Sequence, residues 1–240
     1  MTLQRDPQSV LTFYRSGPMP CPYLPGRVEQ QLFTELSGTG VQAVFEHLSL
    51  GGFRRSHHIA YRPACRGCSA CVPVRVAVDG FERTKSWQRV RRTNADLRAD
   101  CVGKRITDEQ FLLFQRYLRS RHSDGDMARM NRRDYATMVV SSPVMTDMVE
   151  FRDEFGRLAA ACLMDRLGDG LSAVYSFYEP DAPKRSLGSY IVLWMVEEAR
   201  RLGLPYVYLG YWVEDSPKMA YKGRFRPLEG FSADGWQRIR

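Results

Sequence analysis

Within one short stretch, residues 185–225, the chain passes from helical to extended hydrophobic spacing. Tyr190, Leu193, Trp194, Val196 and Ala199 approximate the period of an amphipathic helix, and Glu197, Glu198, Arg200 and Arg201 fall mostly on other faces. This predicts a helix over residues 189–202, ended by Gly203 as C-cap and by Pro205 as a stop. The aromatic and β-branched run at 206–211 (YVYLGY) predicts a strand, with Gly210 a bulge or a point of close approach. Residues 171–178 (LSAVYSFY) predict another strand just upstream. Strand, basic glycine-containing loop, helix and strand then read as one right-handed crossover. The loop offers backbone N–H groups to an anion at a helix N-terminus. Such a unit suits an acyl-transfer core that holds a phosphate-bearing donor.

The remaining pattern extends this core upstream. Residues 72–78 (VPVRVAV) read as a strand closed by the turn Asp79-Gly80. Helices are predicted at 108–120 and 132–140, then strands at 146–152, 158–165 and 171–178. Glu154-Phe155-Gly156 and Gly168-Asp169-Gly170 supply the hairpin turns between those strands. Helices, antiparallel strands, helix and strand in that order predict an α+β layer fold. No repeat or flexible linker stands out. The expectation is a Cys-rich, Pro-punctuated region over residues 1–98 packed against a core over residues 99–240.

Composition narrows the partners. The chain has 240 residues and a net charge of +8, which favours an anionic partner. No window reaches ~18 apolar residues, so no membrane span is expected. The N-terminal MTLQRDPQSVLTFYRSG lacks an apolar signal region, and the expectation is a cytoplasmic protein. The positive charge is concentrated in 81–98, where Arg83, Lys85, Arg89, Arg91, Arg92 and Arg98 face only Glu82 and Asp96. Arg89, Arg91 and Arg92 around Trp87 suit phosphate neutralisation and base stacking on RNA; they equally suit a solvated helix face anchored by Trp87. Arg116, Arg119, Arg121 and His122 extend the basic character.

Six cysteines divide into a cluster and two singles. Cys65, Cys68 and Cys71 form an evenly spaced triplet, and Cys21 sits in a Pro-bracketed turn able to return to it. Four thiolates could hold zinc or an iron–sulfur cluster, or remain reduced structural cysteines. Cys162 reads as a core residue and Cys101 as ordinary. Nucleophilic catalysis finds no G-x-S-x-G elbow and no cysteine with an evident histidine partner. His57-His58 reads as surface. His122 is a candidate for substrate contact, while Asp124 and Asp126 lack the offsets of a calcium loop.

Several motifs then converge. Ser186-Leu187-Gly188-Ser189-Tyr190, the run 206–212 and Lys218-Met219-Ala220-Tyr221-Lys222 make up the C-terminal set. Phe13-Tyr14, Cys21-Pro22-Tyr23-Leu24, Gly52-Phe53-Arg54-Arg55-Ser56 and Tyr61-Arg62-Pro63 precede them in order. Over residues 10–236 the chain resembles the aminoacyl-tRNA–protein transferases of the N-degron pathway. The resemblance implies a GNAT-like acyltransferase core, with aminoacyl-tRNA as donor and a protein N-terminus as acceptor. Length and ordering resemble the bacterial branch, which transfers leucine from Leu-tRNA onto N-terminal Asp or Glu; arginine is the alternative cargo. Eukaryotic relatives carry a cysteine-rich N-terminal region linked to an iron–sulfur cluster, and here Leu24 stands where that pattern has a second cysteine.

The implied chemistry requires no cofactor. A neutral α-amine attacks an activated ester, and donors stabilise the developing oxyanion. Backbone N–H groups of splayed strands at 173–177 and 208–211 could act as those donors. Tyr175, Tyr178 and Tyr211 are candidate hydrogen-bonding or proton-relay groups, or else aromatic core. The acidic acceptor needs a cation: Arg54, Arg55 and Arg75, or Lys222 and Arg224. Arg185, Ser186, Gly188 and Lys218 complete the candidate substrate contacts. An acyl-CoA-dependent GNAT N-acyltransferase is a competing reading, but the loop at 184–190 keeps one glycine and ends in bulky Tyr190. A zinc-type nucleic-acid module would leave the C-terminal core without a purpose.

Overall fold

A computed structural model of the chain describes residues 11–121 and 129–239. His122, Asp124 and Asp126 lie outside the described residues. The N-terminal part holds β1 (Tyr14–Arg15), β2 (Met19–Pro20), β3 (Val28–Glu29), β4 (Gln31–Glu35), α1 (Val41–Leu50), β5 (Arg54–Ser56) and β6 (Ile59–Pro63). Next come β7 (Val72–Ala77), α2 (Lys85–Thr93), β8 (Arg98–Cys101), α3 (Asp108–Arg121) and α4 (Arg132–Val140). The chain then runs through β9 (Thr146–Arg152), β10 (Leu158–Leu167), β11 (Gly170–Tyr178), α5 (Leu187–Arg201) and β12 (Tyr206–Trp212). A hairpin of β13 (Leu228–Ser232) and β14 (Gly235–Arg238) closes it.

The fold is mixed α/β around an eight-stranded sheet of order β14-β13-β7-β12-β11-β10-β9-β8. Only β11 and β12 pair in parallel, joined by the α5 crossover; the other neighbours are antiparallel. Side chains alternate between faces, as the strand period requires. Val149, Ala160, Cys162 and Met164 pack with Trp87 and Val90 of α2 and with Ile191, Met195 and Ala199 of α5. Met148, Ala161 and Leu163 point to the opposite face, against Leu113, Phe114 and Leu118 of α3 and Tyr135 and Val139 of α4. With both faces covered, β10 is buried nearly throughout, which explains its continuous apolar run.

The expected strands and helices are present with small shifts at their ends. Helix α3 starts where Thr107 Oγ1 accepts from Gln110 N (3.2 Å) and Gln110 Oε1 accepts from Thr107 N (3.0 Å), a reciprocal cap. Helix α4 has the same device in Asn131 and Asp134. Helix α1 was not anticipated. Its cap is Gly40 at φ 74° with no side-chain bond, so the usual start signal is missing, and it forms by burying Phe45 against Leu36, Ala60 and Tyr208. Strand β7, from the Cys-rich segment, lies inside the large sheet between β12 and β13. A second sheet, β1-β4-β6-β5, carries residues from the motifs around Phe13-Tyr14, Arg54 and Tyr61. No helix among the described residues is long and apolar enough to cross a membrane.

Candidate active site

Strands β11 and β12 pair over three positions, Gly170 with Tyr206, Leu171 with Val207 and Ser172 with Tyr208, and no further. Beyond them β12 bulges against β7 between Tyr208 and Gly210. Backbone groups that would bond across the pair become available to other partners. Arg54 of β5 enters this opening. Its Nη1 donates to Ser172 Oγ (3.3 Å) and its Nη2 to the Ala173 carbonyl. Gly210, at φ 78°, makes room: a Cβ there would stand 2.9 Å from the guanidinium carbon. Among the described residues Arg54 has no carboxylate partner.

A second cation reaches the same place. Lys222 sits in a 3-10 turn, Ala220–Arg224, with only 8% of its surface exposed, and its Nζ donates to the Tyr211 carbonyl at 2.7 Å. Burial pushes the amine down to about 7, and nearby Arg54 adds to the effect. No ion pair to Lys222 exists among the described residues.

The three candidate tyrosines divide. Tyr211 is buried on β12, and its hydroxyl donates to the carbonyls of Tyr61 (2.9 Å) and Gly52 (3.3 Å), tying β12 to the small sheet. Burial raises its hydroxyl pKa, so it keeps its proton. Tyr175 packs with the α3 cluster, its buried hydroxyl without a protein partner and likewise held protonated by burial. Tyr178 meets Tyr117 edge-on at 4.9 Å, and its ring lies over the start of α5, where a Cβ on Gly188 would approach it to 3.0 Å. Gly188 is therefore required for close packing of helix on strand.

The loop ahead of α5 is built from Arg185 and Ser186. Ser186 adopts φ 50° ahead of α5, with no side-chain cap bond. Arg185 donates to Asn94 Oδ1 (2.9 Å) and Asp96 Oδ1 (2.6 Å), fastening the loop to the end of α2. Lys218 is exposed in the separate loop between β12 and the Ala220–Arg224 turn.

Two of the proposed acceptor-binding arginines are occupied elsewhere. Arg55 makes a two-pronged pair with Asp165, Nε to Oδ2 at 2.8 Å and Nη2 to Oδ1 at 2.7 Å, with both side chains at 0% exposure. Arg75 donates to Glu229 (2.8 Å) and the Tyr208 hydroxyl (3.2 Å), with the Tyr206 ring at 3.4 Å and the Trp236 ring at 4.4 Å. Neither fork is left for a ligand. Arg224 lies 5.0 Å over Trp87, away from the opening.

On α2, Arg89, Arg91 and Arg92 are exposed, and Arg91 approaches Glu197 at 3.7 Å. Trp87 differs from the expected base-stacking role. It is 4% exposed and lies parallel to Phe225 at 4.7 Å, because the apolar face of this short basic helix must turn inward. The stacking surface is already filled.

The cysteines are all free thiols. Burial pushes Cys71 up to about 12, with further contributions from Cys21, Cys65 and Cys68, so the four share one electrostatic neighbourhood. Cys68 is shifted the other way, first by a backbone hydrogen bond from Ala70. Arg27 also donates to its sulfur at 3.3 Å. Among the described residues, however, no three or more Cys, His, Asp or Glu side chains are arranged to hold a metal ion. The donor types suit a metal, but among the described residues their arrangement does not form its cage.

Two residues hold the site together without a signal of their own in the sequence: Tyr61, whose carbonyl accepts from Tyr211, and Asp165, which binds Arg55.

Residues 19–89 match the family described as arginine-tRNA-protein transferase, N terminus, and residues 109–232 match its C terminus. An aspartate/glutamate leucyltransferase of Paramagnetospirillum magneticum is 56% identical over 95% of this chain and 93% of its own length. One from Granulibacter bethesdensis is 54% identical over 94% of this chain and 84% of its own. Among solved structures, the C-terminal domain of a putative lysylphosphatidylglycerol synthetase from Agrobacterium fabrum aligns with a TM-score of 0.46 at 14% identity, covering 77% of this chain and 58% of that one.

Proposed function

Because this chain belongs to the arginine-tRNA-protein transferase family, we propose that it is an aminoacyltransferase that moves leucine from Leu-tRNA onto the N-terminal Asp or Glu of proteins, marking them for N-degron degradation. The observation that carries the acceptor assignment is Arg54, a cation in the strand opening bonded, among the described residues, only to neutral oxygens. A half-buried cation without a carboxylate favours an anionic partner, and an acidic N-terminal side chain supplies one. Arg55 and Arg75 lack this capacity because internal carboxylates already hold them.

The chemistry follows from the opening. The α-amine, with an ordinary pKa of ~8, attacks as the free base. Backbone N–H groups where β11 and β12 part company would meet charge developing on the leucyl carbonyl oxygen. The loop at Arg185, Ser186 and Gly188 and the start of α5 would receive the donor's terminal phosphate, and Lys218 is a further candidate contact. Arg89, Arg91 and Arg92 would contact the tRNA backbone without reading sequence. We read the large sheet, with its parting parallel pair, as a GNAT-like acyltransferase core formed by residues 99–240 together with β7 of the Cys-rich region, so the expected boundary at residue 98 does not separate core from N-terminal part. The cytoplasm, where aminoacyl-tRNA is made, is the expected location.

The test is incubation with Leu-tRNA or Arg-tRNA and peptides beginning with Asp, Glu, Arg or Lys, followed by mass spectrometry. Leucine on the Asp and Glu peptides is the expected product. Arginine on any of them, or a preference for Lys, overturns the reading.

A further inference from the structure

Lys222 is a buried amine to which neither acceptor binding nor oxyanion stabilisation gives a part. Buried ammonium groups are ordinarily paired with carboxylates. Among the described residues this one has no ion pair, and its Nζ donates to the neutral Tyr211 carbonyl at 2.7 Å. The charged group that faces it is Arg54, arriving from β5. From β12 it meets the Tyr211 carbonyl, and on its own turn Tyr221 packs edge-on to Phe225 while Arg224 turns to Ser86 and Trp87. A buried ammonium and a half-buried guanidinium thus lie near one another, with no ion pair to either among the described residues.

Chemistry decides which of them yields. A guanidinium keeps its proton in any protein environment, whereas an ammonium gives its proton up when buried beside another cation. Tyr211 and Tyr175 are not alternatives. Burial holds both hydroxyls protonated, and that of Tyr211 is committed to two carbonyls.

We propose that Lys222 is the proton acceptor of the transfer: its Nζ takes the proton that the attacking α-amine sheds and returns it to the departing ribose oxygen. This rests on the leucyl-transfer reading. The balance is complete. The acceptor nitrogen forms a bond to the leucyl carbonyl carbon, the bond from that carbon to the ribose oxygen breaks, and the proton gained by Lys222 ends on the freed tRNA hydroxyl. Lys222 finishes as it began. The depressed basicity of the amine, down to about 7, leaves a large neutral fraction at neutral pH.

The arrangement also links acceptor choice to rate. When an Asp or Glu carboxylate settles beside Arg54, it offsets the guanidinium charge and strengthens the proton affinity of Lys222. An acidic N-terminus therefore improves the base it is about to use. An Asn or Gln N-terminus binds without doing so.

The experiment measures leucyl-peptide formation at saturating Leu-tRNA by wild type, Lys222→Arg and Lys222→Met, with thermal unfolding of each. Arg preserves the charge and the donation to the Tyr211 carbonyl but does not release its proton. Met is neutral, of similar length, and removes repulsion with Arg54, which keeps a folded variant available. For folded variants the expected result is a fall in kcat of about 100-fold or more, with KM for the Asp peptide within about threefold of wild type. If either folded variant keeps kcat within about threefold of wild type, Lys222 has a structural role only. Wild type that makes no leucyl peptide overturns the leucyl-transfer reading itself, and the role of Lys222 falls with it; active wild type with active variants overturns the role of Lys222 alone.

Discussion

Arg54 lies directly over Gly210, so close that a Cβ on the glycine would stand 2.9 Å from the guanidinium carbon and 2.9 Å from Nε. The glycine also holds φ 78°, in the left-handed region that L side chains rarely adopt. Gly210→Ala therefore has two effects: it strains the bulge by about 1 kcal/mol or more, and it pushes the guanidinium out of the opening. We expect at least a ~10-fold loss of transfer to Asp peptides, larger than the stability loss alone explains. Steady-state kinetics beside a urea melt separates the two. Full activity would falsify the claim that the opening needs Arg54 where it stands.

Adjacent arginines should respond in opposite ways. Asp165 is fully buried, held by Arg55 and by Thr146 Oγ1 at 2.6 Å. Asp165→Ala leaves Arg55 buried and unpaired and is expected to cost about 3–5 kcal/mol in a denaturant melt. Arg54→Gln should leave stability within about 1 kcal/mol, yet erase the preference for Asp and Glu over Asn and Gln peptides. A variant of Arg54 that still prefers acidic N-termini would move acceptor recognition elsewhere.

On α2, the exposed arginines and the buried tryptophan should also part. Neutralising Arg89, Arg91 and Arg92 to Gln is expected to weaken tRNA binding and flatten its salt dependence by roughly 0.7–0.9 log units per log unit of salt for each lost phosphate contact. Trp87→Ala should act on stability instead, by about 3–5 kcal/mol, since the ring is packed against Phe225. Filter binding at two salt concentrations checks the first and thermal melts the second. An unchanged slope in the triple variant returns the stripe to a solvated helix face.

Lys222 should leave a signature in stability against pH. Its folded-state value is pushed down from 10.5 to about 7, so between those values the unfolded chain binds the proton more readily. This cost to the wild type is full below about pH 7 and fades as pH rises through 10.5, amounting to a few kcal/mol at about 1.4 kcal/mol per pKa unit. Relative to wild type, Lys222→Met should therefore be more favourable at pH 7 than at pH 10. Melting temperatures of both proteins across that range give the comparison, and a difference that does not vary with pH contradicts a buried, depressed amine.

Hydrophobic period alone determined the run of elements from α3 to β12, because spacing along the chain specifies which face must leave water. Caps at Thr107 and Asn131 and the stop at Gly203 set their limits by local hydrogen bonds. The motifs likewise disclosed the family, since they are stretches of consecutive residues. Tertiary structure decided the rest of the site. Arg54 and Arg55 are neighbours of the same type, but strand alternation sends one into the opening and the other to Asp165, 110 positions away. Arg75 looked as available as either until Glu229, 154 positions on, was brought against it. Trp87 sits among arginines in sequence and against Phe225 in space. Whether a cation is free depends on where its counter-charge lies, and that partner is supplied by long-range pairing of strands, which no local pattern records.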